Sequence, residues 1–261
     1  MTGKKLPALF LITAGVIIGL ILVPFSSPLR YVISNAGQFL VILVAVVIGL
    51  ERVRFFGHKS ALGKALLFIS LAALAWGIGK LTLIYHEIIM ELEAPPYPLF
   101  SDMLFLSTLP LALFGLYILL KNISAKFDLK ITIKLAALPA ILLLVYIILM
   151  RGKLAQGSSL LGGLLGAIYP VGDVVILSFA LVILSVIKSS KLSRPLSMIG
   201  LSFVIQVVAD LGLITTVSMG TYYMGNWVEM LYIIRFMVLG VGMYFTRDIM
   251  KIEMGRGKAR K

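Results

Sequence analysis

The residues able to do chemistry in this chain are few, and most of them stand inside long apolar runs. Lys80, Asp102, Asp173, Asp210, Glu229 and Arg235 are ionisable side chains flanked by aliphatic and aromatic stretches. A charge at the centre of a bilayer costs roughly 2.5–3.5 kcal/mol on insertion scales, so such a residue faces a partner or a polar cavity. Four acids and two bases come close to charge balance, and pairing offsets the insertion cost. The expected pairs are Lys80 with Asp210 or Asp173, and Arg235 with Asp102 or Asp173. Glu229 and Arg235, six residues apart, do not stack on one helix face, so their partners come from other helices. His86 and Glu87, near the end of their apolar segment, are expected to be solvated.

Two readings of this cluster compete. In one, the pairs only fix helix register; in the other, they line a cavity open to the outside that binds an ion or small polar ligand. Asn35, Gln38, Thr108 and Gln206 would then line the same cavity or bond between helices. Asp173 and Asp210 could also serve a secondary transporter or channel-like protein as proton or ion carriers, with Lys80 and Arg235 setting their ionisation. As a shared-proton dyad the same pair would suit an intramembrane aspartyl protease. The chain, however, lacks the Gly-x-Gly-Asp and Pro-Ala-Leu elements of the presenilin-like enzymes. With no phosphate loop, dinucleotide fingerprint or Ser-His-Asp arrangement, a non-enzymatic protein without catalytic residues is expected. Cysteine is absent and His58 and His86 are the only histidines, so neither a metal nor another cofactor is expected.

The elements that must position these residues are membrane helices. Of 261 residues, 60% are hydrophobic and 13% charged, about half the charge of a soluble domain. Apolar segments near the ~20 residues needed to cross hydrocarbon lie at roughly 6–26, 33–50, 62–89, 98–120, 131–150, 161–187, 196–219 and 227–246. The expected fold is therefore an all-α polytopic bundle of about eight spans, a single membrane domain over 1–261 with a basic tail from about 247. The first segment lacks a signal-peptidase site after Pro24 and is expected to be retained.

The net charge of +13 sorts by loop. Lys4, Lys5, Arg52, Arg54, Lys59, Lys64, Lys121, Lys126, Lys130, Lys134, Lys188, Lys191, Arg194 and the tail fall on one side, against Arg30, Arg151 and Lys153 on the other. By the positive-inside rule both termini are cytoplasmic in a multi-pass cell-membrane protein. The partners expected are the lipid bilayer, a small polar ligand or ion and a cytoplasmic protein, with no nucleic acid. Asn122-Ile-Ser124 falls on the cytoplasmic side, which discounts glycosylation. Tyr97, Tyr222, Tyr223 and Trp227 fall where an interfacial aromatic belt is expected. The Gly15-x3-Gly19 and Gly162-x3-Gly166 spacings allow close helix contact. Pro24, Pro110 and Pro139 are expected to bend their helices, and Tyr-Pro followed by Gly172-Asp173 points to irregular backbone in the sixth span.

Two internal similarities point to duplication. Tyr97-Pro98-x3-Asp102 is echoed by Tyr169-Pro170-x2-Asp173, and the set Lys80, Tyr97, Asp102 by Asp210, Tyr223, Glu229. A duplicated bundle would place a site at the repeat interface. Trp76-Gly77-x-Gly79, Pro96-Tyr97-Pro98-x3-Asp102-x2-Phe105-Leu106, Gly115-Leu116, Tyr169-Pro170-x2-Asp173, Ala209-Asp210 and the Gly220-to-Trp227 loop together resemble the multi-span membrane regions found ahead of GGDEF and EAL domains in bacterial cyclic-di-GMP enzymes. That resemblance implies a sensor. The chain carries no GGDEF or EAL sequence, so a stand-alone receptor, transporter or accessory protein is the matching expectation.

Overall fold

Hydrocarbon offers no partner to backbone N–H and C=O groups, so a chain this apolar satisfies them within helices. The computed structural model describes residues 5–23, 26–90, 100–123, 160–186 and 193–258, with isolated positions between 133 and 144. Among the described residues the regular structure is helical throughout: α1 (Lys5–Leu22), α2 (Ser27–Phe56), α3 (Ala61–Ile84), α4 (Phe100–Ile123), α5 (Leu160–Val186), α6 (Ser193–Ser218) and α7 (Trp227–Lys258). Six of them, α2 to α7, contain apolar stretches of 19–29 residues, long enough to cross a membrane. The protein is thus an all-helical membrane protein with six such helices among the described residues. The expected first span is the shorter apolar segment Phe10–Leu22 of α1, and the expected fifth span, 131–150, lies outside the described residues. So do Tyr97, Pro24, Pro139, Arg151 and Lys153.

Local signals account for the ends. Ser60 caps α3 by accepting a bond from Gly63 N at 2.9 Å, satisfying a donor with no partner inside the helix. At its other end α3 runs into a π-helical turn, Tyr85–Ile89. Asn226 starts α7 by accepting from Val228 N at 3.0 Å. The turn before it bends through Gly220 and Gly225, whose φ of +67° and +87° lies in the left-handed region that side chains disfavour. Contrary to the expected irregularity, α5 continues through Pro170, Gly172 and Asp173, and α4 through Pro110. Both prolines thus lie inside helices that continue past them.

The helices close a ring. Each of α2, α3, α4, α5, α6 and α7 packs on the next, and α7 returns to α2, while α1 lies outside against α2 and α7. Phe10 of α1 meets Gly240 and lies beside the buried Ala45. Within the ring, a Cβ on Gly79 would come within 2.5 Å of the Phe105 ring, so glycine is what lets α3 and α4 approach there. Leu40, Val47, Phe114, Leu201 and Val208 are exposed on the outer surface, as side chains facing lipid are. Arg52, Arg54, Lys59, Lys64, Lys121, Arg194 and Arg247 gather at the end of the bundle away from the Gly220–Asn226 turn. Glu51 there lies 3.6 Å from Arg52 and 3.3 Å from Arg247, joining α2 to α7.

Candidate functional site

Inside the ring, in the half nearest the Gly220–Asn226 turn, is a cavity of about 600 Å³. Its lining includes Lys80 from α3, Asp102 from α4, Asp173 from α5, Asp210 from α6 and Glu229 from α7. Five of the six ionisable residues singled out in the sequence therefore meet at one cavity, with Thr108 and Gln206. The remaining surface is aromatic and aliphatic, with Trp76, Phe105, Tyr169, Tyr222 and Tyr232 prominent.

The pairing differs from the expected one. Lys80 Nζ lies 3.4 Å from Glu229 Oε2, rather than against Asp210 or Asp173. Glu229 is two residues after the start of α7, about 3 Å from that end at a 1.5 Å rise, and Lys80 meets it from α3, which continues beyond Ile84 into the Tyr85–Ile89 turn. Asp210 is eight residues from the end of α6, and Arg235 eight from the start of α7. At about 12 Å these two share a level, where Arg235 interacts electrostatically with Asp210 and Asp173.

Glu229 is the centre of the outer level. Besides Lys80, its carboxylate accepts bonds from Tyr222 Oη at 2.7 Å, from Ser34 Oγ at 3.5 Å and from Gln38 Nε2. Both Lys80 and Glu229 are buried, with side chains 7% and 1% exposed. Removing two charges from water is worthwhile only when such bonds satisfy the remaining lone pairs.

The inner level is a carboxyl pair. Asp173, Asp210 and Gln206 border the cavity together, and Tyr232 Oη donates to Asp210 Oδ1 at 2.5 Å. Arg235 lies behind this pair, outside the lining, with its guanidinium 4.2 Å from the Phe236 ring centre and 5.3 Å from that of Trp76. Gln206 Oε1 and Trp76 Nε1 are buried without a hydrogen-bond partner.

Asp102 lies at the start of α4, half-buried, and its carbonyl accepts from Tyr169 Oη at 3.1 Å. His86 is not part of the cavity; its Nδ1 bonds the Thr82 carbonyl at 2.8 Å. Tyr222 and Tyr232 were not among the expected site residues. A signal for Tyr232 was present, since it lies three residues after Glu229 and three before Arg235 and so links their faces on α7. Tyr222 carried no comparable signal, because an aromatic residue in a connecting turn reads equally well as interfacial.

Of the residues that carry the resemblance to sensory membrane regions, Trp76, Asp102, Phe105, Tyr169, Pro170, Asp173 and Asp210 border the cavity, whereas Gly77, Gly79, Leu106, Gly115, Leu116 and Ala209 do not. Comparison with protein-family models, with curated proteins and with solved structures gives no match, so what the site does has to be argued from its own geometry.

Proposed function

We propose that the protein is a multi-pass membrane receptor whose cavity, open toward the outside, binds a small ligand or ion, with basic loops on the cytoplasmic side available to a protein partner. The observation that carries this reading is the convergence of Lys80, Asp102, Asp173, Asp210 and Glu229 on one cavity of about 600 Å³. A register device needs paired charges but no space between them, whereas small-molecule sites occupy about 300–1,000 Å³ with a few convergent polar groups on an apolar wall. The distribution of basic residues supports cytoplasmic termini and hence an outward cavity.

Secondary transport is the second reading, and one observation favours it: two carboxyl groups from adjacent helices, Asp173 and Asp210, border the same cavity. Transport requires gradient-driven solute flux in proteoliposomes, whereas a receptor only binds.

The deciding experiment is the thermal stability of detergent-purified protein against a library of ions and small polar solutes, with Asp173→Asn and Asp210→Asn beside the wild type. A solute present at 100 times its Kd should stabilise the wild type by about 2.7 kcal/mol through mass action, and a folded variant should lose that shift. If no solute shifts the wild type, the charges only fix helix register.

A further inference from the structure

The hydrogen-bond donors and acceptors of the cavity wall are unevenly spent. Its hydroxyl donors are committed to protein acceptors: Thr108 to the Phe105 carbonyl at 2.6 Å, Tyr169 to the Asp102 carbonyl at 3.1 Å, Tyr222 to Glu229 at 2.7 Å and Tyr232 to Asp210 at 2.5 Å. Lys80 is held by Glu229 at 3.4 Å. Acceptors are what the wall keeps in surplus. An ionised carboxyl offers about four lone-pair sites and no donor; Asp102, Asp173 and Asp210 all border the cavity, and the Tyr232 bond fills one of those sites. Gln206, four residues before Asp210 and so on the same face of α6, adds an Oε1 that accepts no bond among the described residues. Trp76 Nε1, a neutral donor without an acceptor, does not redress this.

Charge has the same sense. Asp102, Asp173, Asp210 and Glu229 border the cavity together with Lys80, and Arg235, behind the wall against the Trp76 and Phe236 rings, adds a second positive charge. The set is net negative, and stays so if one carboxyl carries a proton. One entering positive charge brings it nearer to balance, and an entering anion takes it further away. The rings serve the rest of the molecule. Trp76 packs on Phe105 and Tyr232, with ring centres 4.9 and 5.3 Å apart. Trp76 already faces Arg235, and Tyr232 faces Lys80, both at 5.3 Å, so this wall offers apolar area for a ligand's body rather than a cage for its charge.

Resting on the binding-site reading above, we propose that the cavity takes a small protonated amine, its N–H groups donating to the Asp173 and Asp210 carboxyls and its apolar body lying along Trp76 and Phe105. The N–H groups matter as much as the charge. A quaternary ammonium of the same size is equally positive but brings no donor, and a buried acceptor left without one costs its desolvation.

The test is calorimetric titration of the detergent-purified protein at neutral pH with 2-phenylethylamine, which is protonated there, beside its N,N,N-trimethyl derivative and 2-phenylethanol. The trimethyl compound keeps the charge and loses the donors; the alcohol keeps the body and a donor and loses the charge. Each should bind at least roughly tenfold more weakly than the amine. Asp173→Asn and Asp210→Asn should each weaken the amine by a similar factor and narrow its lead over the alcohol. Should the variants fail to fold, the order of the three compounds on the wild type decides by itself. Equal binding of the trimethyl compound or of the alcohol overturns the inference. If the amine fails while another solute gives a thermal shift that Asp210→Asn removes, the ligand class is wrong and the binding site stands. If no solute binds, both fall.

Discussion

Two charged clusters join α2 to α7 at opposite ends of the same helix pair. At the basic end Glu51, 48% exposed, lies between Arg52 and Arg247 at 3.6 and 3.3 Å. At the other end Glu229, 1% exposed, is held by Lys80, Tyr222, Ser34 and Gln38. Both are carboxylates beside cations at similar distances, yet their surroundings separate them. Water or headgroups would solvate Glu51 if its partners left, so its pairs are weak and replaceable. Glu229 borders the cavity but is 1% exposed, so its protein partners carry most of its solvation. Distance alone thus ranks the two clusters as equals, and burial is what distinguishes them.

Substitutions at the two ends put that distinction to the test. Glu229→Gln should have the largest effect, a loss of about 3–5 kcal/mol, because it strands the buried Lys80 ammonium; denaturant unfolding in detergent measures it. A loss below about 1 kcal/mol would put Glu229 in the same class as Glu51. Tyr222→Phe should come next, at about 1.5–3 kcal/mol for one bond to a charged acceptor, and would sharpen the comparison by isolating a single partner. Replacing both members, Lys80→Met with Glu229→Met, should recover more than half of the stability lost in Glu229→Gln, since no unpaired charge remains. A double variant no better than the single would show that the loss comes from altered packing. Glu51→Gln should be the mildest, about 0.2–1 kcal/mol and weaker still in high salt.

The contrast also shows where the sequence could be read and where it could not. Lys80, Asp102, Asp173, Asp210 and Glu229 were recognisable as a cluster because ionisable residues are conspicuous in apolar segments, and all five border one cavity. Helix positions for α2 to α7 followed from segment length and hydropathy. Pairing did not follow, because it depends on which helices adjoin and at what depth. Counting residues to the expected segment ends even misleads, because a third segment running to 89 puts Lys80 at the depth of Asp210, whereas the structure pairs it with Glu229. Closure of the ring by α7 against α2 was beyond sequence reading, and with it the contribution of Ser34 and Gln38 to Glu229. Nor did the spacing of Pro110 and Pro170 reveal that both helices continue past them, since proline both ends and merely bends helices.

Tyr222 stands in the short connection between α6 and α7, and its hydroxyl is bound to the same carboxylate that holds Lys80. Moving that connection aside breaks a bond to Glu229. On the binding-site reading proposed above, any exchange that displaces this connection would also strain the outermost ion pair, so residence time and stability should change together across a series of Glu229 and Tyr222 variants.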